Sequence, residues 1–440
     1  MINISIPEGV LEIIKRLQKA GFCAHAVGGC VRDSLLGKSP LDWDITTPAL
    51  PAQIIALFAD LRQIQIGSRH GTVAVKSHGQ YYEITTYRID GEYHDGRRPA
   101  SVSFTSDLYE DLRRRDFTIN AMAYSPKTGL SDHFGGLDDL RAGIVRCVGD
   151  PTERFAEDHL RIMRAYRFAA VLGFSLDAAT REAALSRRHR LENVARERIG
   201  AELSKLLTAS NFEAIKVFLD DCVDVVFPDF AALRGVAQSN PYHRYDVYEH
   251  SIEVLRHTPN TLHQRLAAVF HDTGKAHTKS TDPRGIDHFY AHARHSERIA
   301  AHALQHYCFD NNTKSKVLAI VAHHDKIIQP EKPHVKRFLN KHGVEQLHEL
   351  LVFQRADNLA KSEAAADRLH NIESVLQIFR EILDSKEPLA ARDLVLSGKD
   401  IMAITGLPEG PQIGEILAKL LSAVLKNPEL NTREQLKKLI

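Results

Sequence analysis

The sequence of 440 residues holds one tryptophan, four methionines and five cysteines. Cys23, Cys30, Cys147, Cys222 and Cys308 are scattered, with no CxxC pair among them. That spacing excludes a disulfide framework and a thiolate zinc ribbon, and it predicts reduced thiols in a cytoplasmic protein. No apolar run reaches the roughly 18 residues that a membrane span requires, and the N-terminal stretch lacks the apolar centre of a secretion signal. Nor is there an excess of one charge. With 57 Lys+Arg against 56 Asp+Glu, any affinity for nucleic acid must come from local clusters of cations and not from a basic whole. Internal repeats and low-complexity segments are also lacking, which excludes a solenoid and a disordered scaffold.

What is present is enough apolar residue, 43%, to build more than one core over a chain of this length. Short apolar stretches such as CAHAV, WDIT, GTVAV and YYEITTY alternate with helical ones up to about residue 150, and from there the apolar spacing is that of helices. Sixteen of the 24 histidines lie between His243 and His348, marking a module with its own chemistry. The reading is a multidomain α+β chain: a mixed head over 1–150, a helical neck over 151–235, a histidine-rich module over 236–365 and a helical tail over 366–440. In the tail, Gly410-Pro411 opens a helix whose N–H groups suit an RNA phosphate or simply join two helices.

The head carries the strongest pattern, Val27-Gly28-Gly29-Cys30-Val31-Arg32-Asp33 followed by Leu41-Asp42-Trp43-Asp44-Ile45. Two glycines between a strand and a helix permit a tight turn with exposed N–H groups, a cradle for a triphosphate. On the next strand Leu41, Trp43 and Ile45 are expected on one face, with Asp42 and Asp44 on the other. Paired carboxylates suit Mg²⁺ and substrate phosphates, and Glu83 in YYEITTY is a third candidate from a neighbouring strand. This order and spacing resembles the nucleotidyltransferase superfamily that includes DNA polymerase β, and the resemblance implies two-metal nucleotidyl transfer.

Further motifs sharpen it. Arg113-Arg114-Arg115-Asp116-Phe117-Thr118-Ile119-Asn120, then Glu157-Asp158-His159-Leu160-Arg161-Ile162-Met163-Arg164 and the later RERIGAEL, are similar over residues 20–210 to the class II tRNA nucleotidyltransferases, the CCA-adding enzymes. The resemblance implies that Gly28, Gly29, Arg32, Arg115, Asp116 and Asn120 bind ribose and triphosphate. It implies that Asp158 and Arg161, with Glu157 beside them, read the base, that Arg164 supports the base-reading residues or the phosphates, and that Arg198 and Glu202 brace the neck. Three or four residues apart on a helix, Glu157, Asp158 and Arg161 would share a face. An Asp acceptor beside an Arg donor fits cytosine and adenine, which both set an exocyclic amine beside a ring acceptor. His159 departs from the small residue or proline expected there. The polar loop over 90–99 resembles the flexible loop of members that complete CCA. The partners implied are the tRNA 3′ end, CTP and ATP.

In the histidine-rich module His250, the pair His271-Asp272 and the distant Asp357 resemble the ligand pattern of HD-family phosphohydrolases. Nitrogen and carboxylate ligands together suit Ni²⁺, Mn²⁺ or Co²⁺. Lys275 is placed to contact substrate, and His288, His292, His323 and His324 are candidates for further contacts. Three rival readings stand beside a CCA-adding enzyme with a second phosphohydrolase activity. They are a poly(A) polymerase, a specialist adding only A or CC, and an HD-containing regulator that nucleotidylates proteins. No basic insertion or Arg/Lys-rich tail suits the first, and too few residues follow Asp357 for the sensing domains of the last.

Overall fold

The computed structural model describes residues 2–64, 71–93, 96, 99–385 and 388–440. The chain divides into two compact units, Met1–Val226 and Phe227–Ile440.

The first unit is built on a seven-stranded sheet in the order Gln63–Ile64, Thr72–Ser77, Gln80–Thr86, Asp44–Thr47, His25–Val27, Met122–Ser125 and Gly129–Asp132. The strands alternate as a half-buried sheet should: Tyr82, Ile84 and Thr86 are buried while Tyr81 and Glu83 face outward. The opening helix Glu8–Lys19 buries Val10, Ile13, Ile14 and Leu17, one stripe at helical spacing. Two registers matter for function. Asp44 lies opposite Val27 in an antiparallel pair and opposite Glu83 in a parallel one. The glycine turn after Val27 and the two carboxylates therefore lie beside one another.

The expected aspartate strand differs in two respects. It begins at Asp44, so Asp42 lies just before it, and Leu41 is 97% exposed where the alternation had placed it beside buried Trp43 and Ile45. The strand is bound on both sides only from Asp44 onward, so nothing forces the pleat on Leu41.

The segment read as one helix is two, Pro151–Glu157 and Leu160–Leu172. Asp158 takes an extended conformation (φ −133°, ψ 107°), and its carboxylate accepts a hydrogen bond from the Leu160 N–H at 3.0 Å. A short acidic side chain that caps the next helix competes with continuing the last one.

Among its described residues the second unit is helical apart from a hairpin, Lys279–Thr281 with Asp287–Phe289. One core joins Leu347, Leu350 and Leu351 of the helix Val344–Leu359 to Ile372, Val375 and Phe379 of Ala366–Ser385. A separate cluster gathers Leu396, Ile401, Leu420, Val424 and Leu436 in the last helices. Among the described residues no helix is long and apolar enough to cross a membrane.

Candidate functional sites

In the first unit, Gly28 takes a positive φ of +80°, a conformation open to glycine, and a Cβ there would lie 3.0 Å from Nη1 of Arg115. The turn thus needs glycine both for its backbone angle and for the close approach of a guanidinium. The helix Gly29–Leu35 follows at once and carries Arg32. Arg115 is held by the wholly buried Asp111, whose Oδ2 lies 3.6 Å from Nη2 and also accepts from the Thr46 hydroxyl at 3.0 Å. The Asp111 anchor was not apparent in the sequence; a carboxylate four residues before an arginine is its one local sign.

Asp42, Asp44 and Glu83 are all exposed. The protein wall withdraws Asp44 from bulk water and raises its carboxyl, Arg115 opposes that, and Asp42 adds to it. Glu83 is raised in the same way, by partial burial and then by the charges of Asp44 and Asp42. Three carboxylates that repel one another and face outward form an oxygen-rich site to which a hard divalent cation fits.

Beside the turn lies a continuous polar network. Arg32 donates to Asn120 Oδ1 at 2.6 Å, Asn120 Nδ2 donates to Asp116 Oδ1 at 3.1 Å, and Arg164 donates to Asp116 Oδ2 through Nε at 2.8 Å and Nη2 at 2.5 Å. Burial alone would raise the Asp116 carboxyl, but Arg164, Arg161 and the Asn120 amide together pull it down to about 2. The guanidinium groups of Arg32, Arg164 and Arg167 stand over the Phe168 ring at 5.0, 5.3 and 3.8 Å. The motifs of the head and the neck thus converge on one ring, which the sequence did not single out.

The expected pairing of Asp158 with Arg161 on one helical face gives way to two separate contacts. Arg161 is ion-paired to Glu157 and donates to the Arg114 carbonyl at 3.0 Å and the Arg154 carbonyl at 3.2 Å. Asp158 is paired with Arg198 at 3.0 Å, and Glu202 with Arg167 at 2.5 Å. The break at Asp158 turns its carboxylate out of the helical register that spacing alone had assigned. His159 donates its backbone N–H to the Gly96 carbonyl at 3.1 Å and directs Nδ1 at the Phe155 carbonyl at 2.8 Å. His94, Asp95, Arg97 and Arg98 of the polar loop lie outside the described residues.

The second unit holds the other cluster. His250, on the helix Val247–His257, directs Nε2 at Asp357 Oδ1 at 3.0 Å and lies 3.8 Å from Asp272 Oδ2. His271 Nε2 is 3.2 Å and Lys275 Nζ 2.8 Å from the same Asp272 oxygen. The other oxygen of Asp272 faces His292 Nε2 at 3.4 Å and His324 Nε2 at 3.5 Å. His288 and His323 stand apart: one pairs with Asp282 at 3.4 Å, the other packs on His342.

The tautomers follow from the backbone. Nδ1 of His271, His292 and His324 faces the carbonyls of Ala268, Phe289 and Val321 at 3.0, 2.9 and 2.8 Å. A carbonyl only accepts, so each Nδ1 carries a proton, and Nε2 is the atom each ring directs at Asp272. His292 and His324 set Nε2 against Nε2 at 3.1 Å, and among the described residues His271 Nε2 has no hydrogen-bond partner of good geometry. Nε2 atoms from three rings converging on a buried carboxylate fit a divalent transition metal. His250, His271 and Asp272 form one such group; Asp272, His292 and His324 form another that shares the aspartate. Although burial works against ionisation, the surrounding cations and rings hold Asp272 and Asp357 well below the usual carboxylate range.

Gly274 explains itself here. A Cβ on it would lie 2.3 Å from the His292 carbonyl oxygen and 2.8 Å from the His295 Cβ. Only glycine lets the turn after Asp272 touch the start of the helix His292–His306.

Three family models match parts of this chain. Residues 24–146 match the family described as "Poly A polymerase head domain", residues 173–233 one described as "Probable RNA and SrmB- binding site of polymerase A", and residues 280–440 one described as "tRNA nucleotidyltransferase domain 2". The chain is 32% identical over 430 residues to a CCA-adding enzyme of Geobacillus kaustophilus, covering 98% of this chain and 95% of the relative. It is 31% identical over 427 residues to a CCA-adding enzyme of Leuconostoc mesenteroides, covering 97% and 94%. Among solved structures it is similar to a Bacillus stearothermophilus CCA-adding enzyme in complex with CTP, with a TM-score of 0.72 and 28% identity over 98% of this chain and 95% of that one. A Thermotoga maritima CCA-adding enzyme complexed with tRNA, at 20% identity and a TM-score of 0.61 over 98% and 93%, shares the fold. Relatives above 30% identity that match nearly the whole of both chains show that this chain belongs to the CCA-adding enzymes, a family of tRNA nucleotidyltransferases.

Proposed function

We propose that the chain adds CMP and AMP, completing CCA, at the 3′ end of tRNA from CTP and ATP. The observation that carries this reading is the register that sets Asp44 beside both Val27, at the glycine turn, and Glu83. Mg²⁺ held by Asp42, Asp44 and Glu83 would supply charge to the attacking and leaving oxygens when bound. The chain's own residues do the rest. The N–H groups after Gly28 and the Arg115 guanidinium receive the triphosphate, and Arg32, Asn120 and Asp116 form a rigid wall for the ribose. Asp158, held by Arg198, accepts from the exocyclic amine of C or A, and Arg161, held by Glu157, donates to the ring acceptor. Within the two units we assign a head over 1–150, a neck over 151–235, a metal module over 236–365 and a tRNA-contacting tail over 366–440.

The test is to incubate the protein with tRNA lacking its CCA end, with each labelled nucleotide alone and with CTP plus ATP, and to size the products. Two additions with CTP and a third only with both support the reading. A long run from ATP alone would make it a poly(A) polymerase, and a stop at CC or a need for a CC end would make it a specialist.

A second reading is favoured by the imidazole Nε2 atoms that converge on Asp272. The module carries an HD-type site in which His250, His271, Asp272 and Asp357 hold a divalent transition metal, joined by His292 and His324, and Lys275 binds a phosphoester. A water oxygen would form the new bond to phosphorus while the ester P–O bond breaks and the water proton passes to the leaving oxygen, with nothing oxidised or reduced. A metal held by these residues would make that water more acidic.

A further inference from the structure

Phe168 lies on the helix Leu160–Leu172 and is buried, yet its neighbours are charges. Three guanidinium groups stand over its ring: Arg32 at 5.0 Å from the centroid, Arg164 at 5.3 Å and Arg167 at 3.8 Å. Like charges gathered this closely repel. Burial pushes the Arg167 guanidinium below its ordinary value and the charge of Arg164 adds to that, opposed by Glu202. The π face of the ring attracts all three cations, which an aliphatic side chain of similar bulk would not do. The ring is itself fixed. Phe117 meets it edge to face, centroids 5.7 Å apart, and the Phe117 N–H donates to Asp116 Oδ1 at 2.9 Å. Arg164 holds the other Asp116 oxygen, so Asp116, Phe117, Phe168 and Arg164 form a closed circuit of contacts. Arg32 is set by the ring, by Asp33 at 2.8 Å and by Asn120 at 2.6 Å.

The circuit leaves few donors free. Asp116 accepts from Phe117 and Asn120 on Oδ1 and twice from Arg164 on Oδ2, so its lone pairs are in use. Among the described residues, neither Arg164 Nη1 nor the second hydrogen of the Asn120 amide has a partner. Both are donors, and a ribose 2′-hydroxyl is an acceptor that deoxyribose lacks. We propose that Phe168 is a positioning residue for this pair. By holding Arg164 directly and Asn120 through Arg32, it sets the choice of ribonucleotides over deoxyribonucleotides. The inference rests on reading this wall as the ribose site. Without the ring, Arg32 and Arg164 move apart and the two donors lose their fixed separation. The base-reading Asp158 and Arg161 keep their own partners, Arg198 and Glu157. Selection by sugar therefore fails in a variant without the ring, and selection by base holds.

The experiment measures kcat/KM for CTP and dCTP on tRNA lacking its CCA end, with the full chain as wild type, Phe168→Leu, Phe168→Tyr and Phe218→Leu. Phe218 is a fully buried ring of the same unit, packed on Tyr166, and its variant controls for lost core packing. Wild type should prefer CTP. Phe168→Leu should reduce that preference at least fivefold, mainly by raising KM for CTP, with UTP and GTP still rejected. Phe168→Tyr should keep the preference, and so should Phe218→Leu. If Phe168→Leu does not fold, Phe168→Met, which fills the space without a π face, is measured in its place. A preference that the ring-free variant leaves unchanged, or an equal drop in Phe218→Leu, would overturn the role of Phe168. A wild type that uses CTP and dCTP alike would instead refute the wall as the ribose site, and this inference with it. If wild type adds no nucleotide, the addition reading fails, and the ratio of CTP to dCTP affinity by equilibrium dialysis of the same variants decides the role of Phe168.

Discussion

At Asp42 and Asp44 the side chains face outward and crowd one another, while Trp43 and Ile45 carry the packing. Replacing either aspartate with alanine should therefore reduce nucleotide addition on the order of 10³-fold, the cost of losing several kcal/mol of transition-state charge stabilisation. The melting temperature should stay the same or rise slightly, since a repulsion is removed. Near-normal incorporation by either variant would refute the carboxylate site. Asp116 behaves in the opposite way, because its charge is stabilised by the fold. Its carboxyl is pulled down to about 2 against an ordinary value of 3.8. Its ionisation contributes about 2 kcal/mol to folding, fully present above roughly pH 4 and lost as the pH falls through 2. In urea unfolding, wild type should lose its advantage over Asp116→Asn progressively between pH 4 and pH 2. A constant difference over that range would show that the charge contributes nothing.

At the level of elements, the break between Pro151–Glu157 and Leu160–Leu172 sets how the base is read. Asp158 leaves the helix and is held by Arg198, so Asp158→Ala should loosen selection among nucleotides more than it slows the chemistry. A good bidentate contact discriminates by ~1–3 kcal/mol, so UTP or GTP should compete measurably. Strict use of C and A by the variant would move base selection elsewhere. The turn after Asp272 is constrained in another way. Gly274→Ala forces a methyl group against the His292 carbonyl, 2.3 Å away, and the backbone on both sides has little room to give. The change should cost about 1–3 kcal/mol of stability. It should also weaken retention of a transition metal, seen by calorimetry and elemental analysis, because His292 moves with its helix.

Across the whole molecule, the two sets of site residues belong to different compact units. The double change His271→Ala/Asp272→Ala should remove bound transition metal and phosphoester hydrolysis while CCA addition stays within about twofold of wild type. Addition lost in step with hydrolysis would tie the two activities together. The double change should also affect the stability of the second unit in a metal-dependent way. Wild type should melt higher with added Ni²⁺ by the mass-action term for a ligand that binds only the folded state, and the variant should not respond.

Much of this is local, and the sequence alone determined it: the strands that run into the glycine turn and Asp44, the two amphipathic helical stretches of the neck, and the likeness of His250, His271-Asp272 and Asp357 to a metal-binding pattern. Glycine tolerance, period-two and period-3.6 apolar spacing and residue chemistry act over a few neighbours, so they can be read in order along the chain. Tertiary structure decided the rest. Leu41 faces water because, among the described residues, no partner strand reaches it, and Asp158, once out of its helix to cap the next, is paired with Arg198, forty residues on. His292 and His324 join Asp272 while His288 and His323 do not. Spacing along the chain treats all four histidines alike, and only the packing of the helices fixes which ring nitrogens meet at one carboxylate.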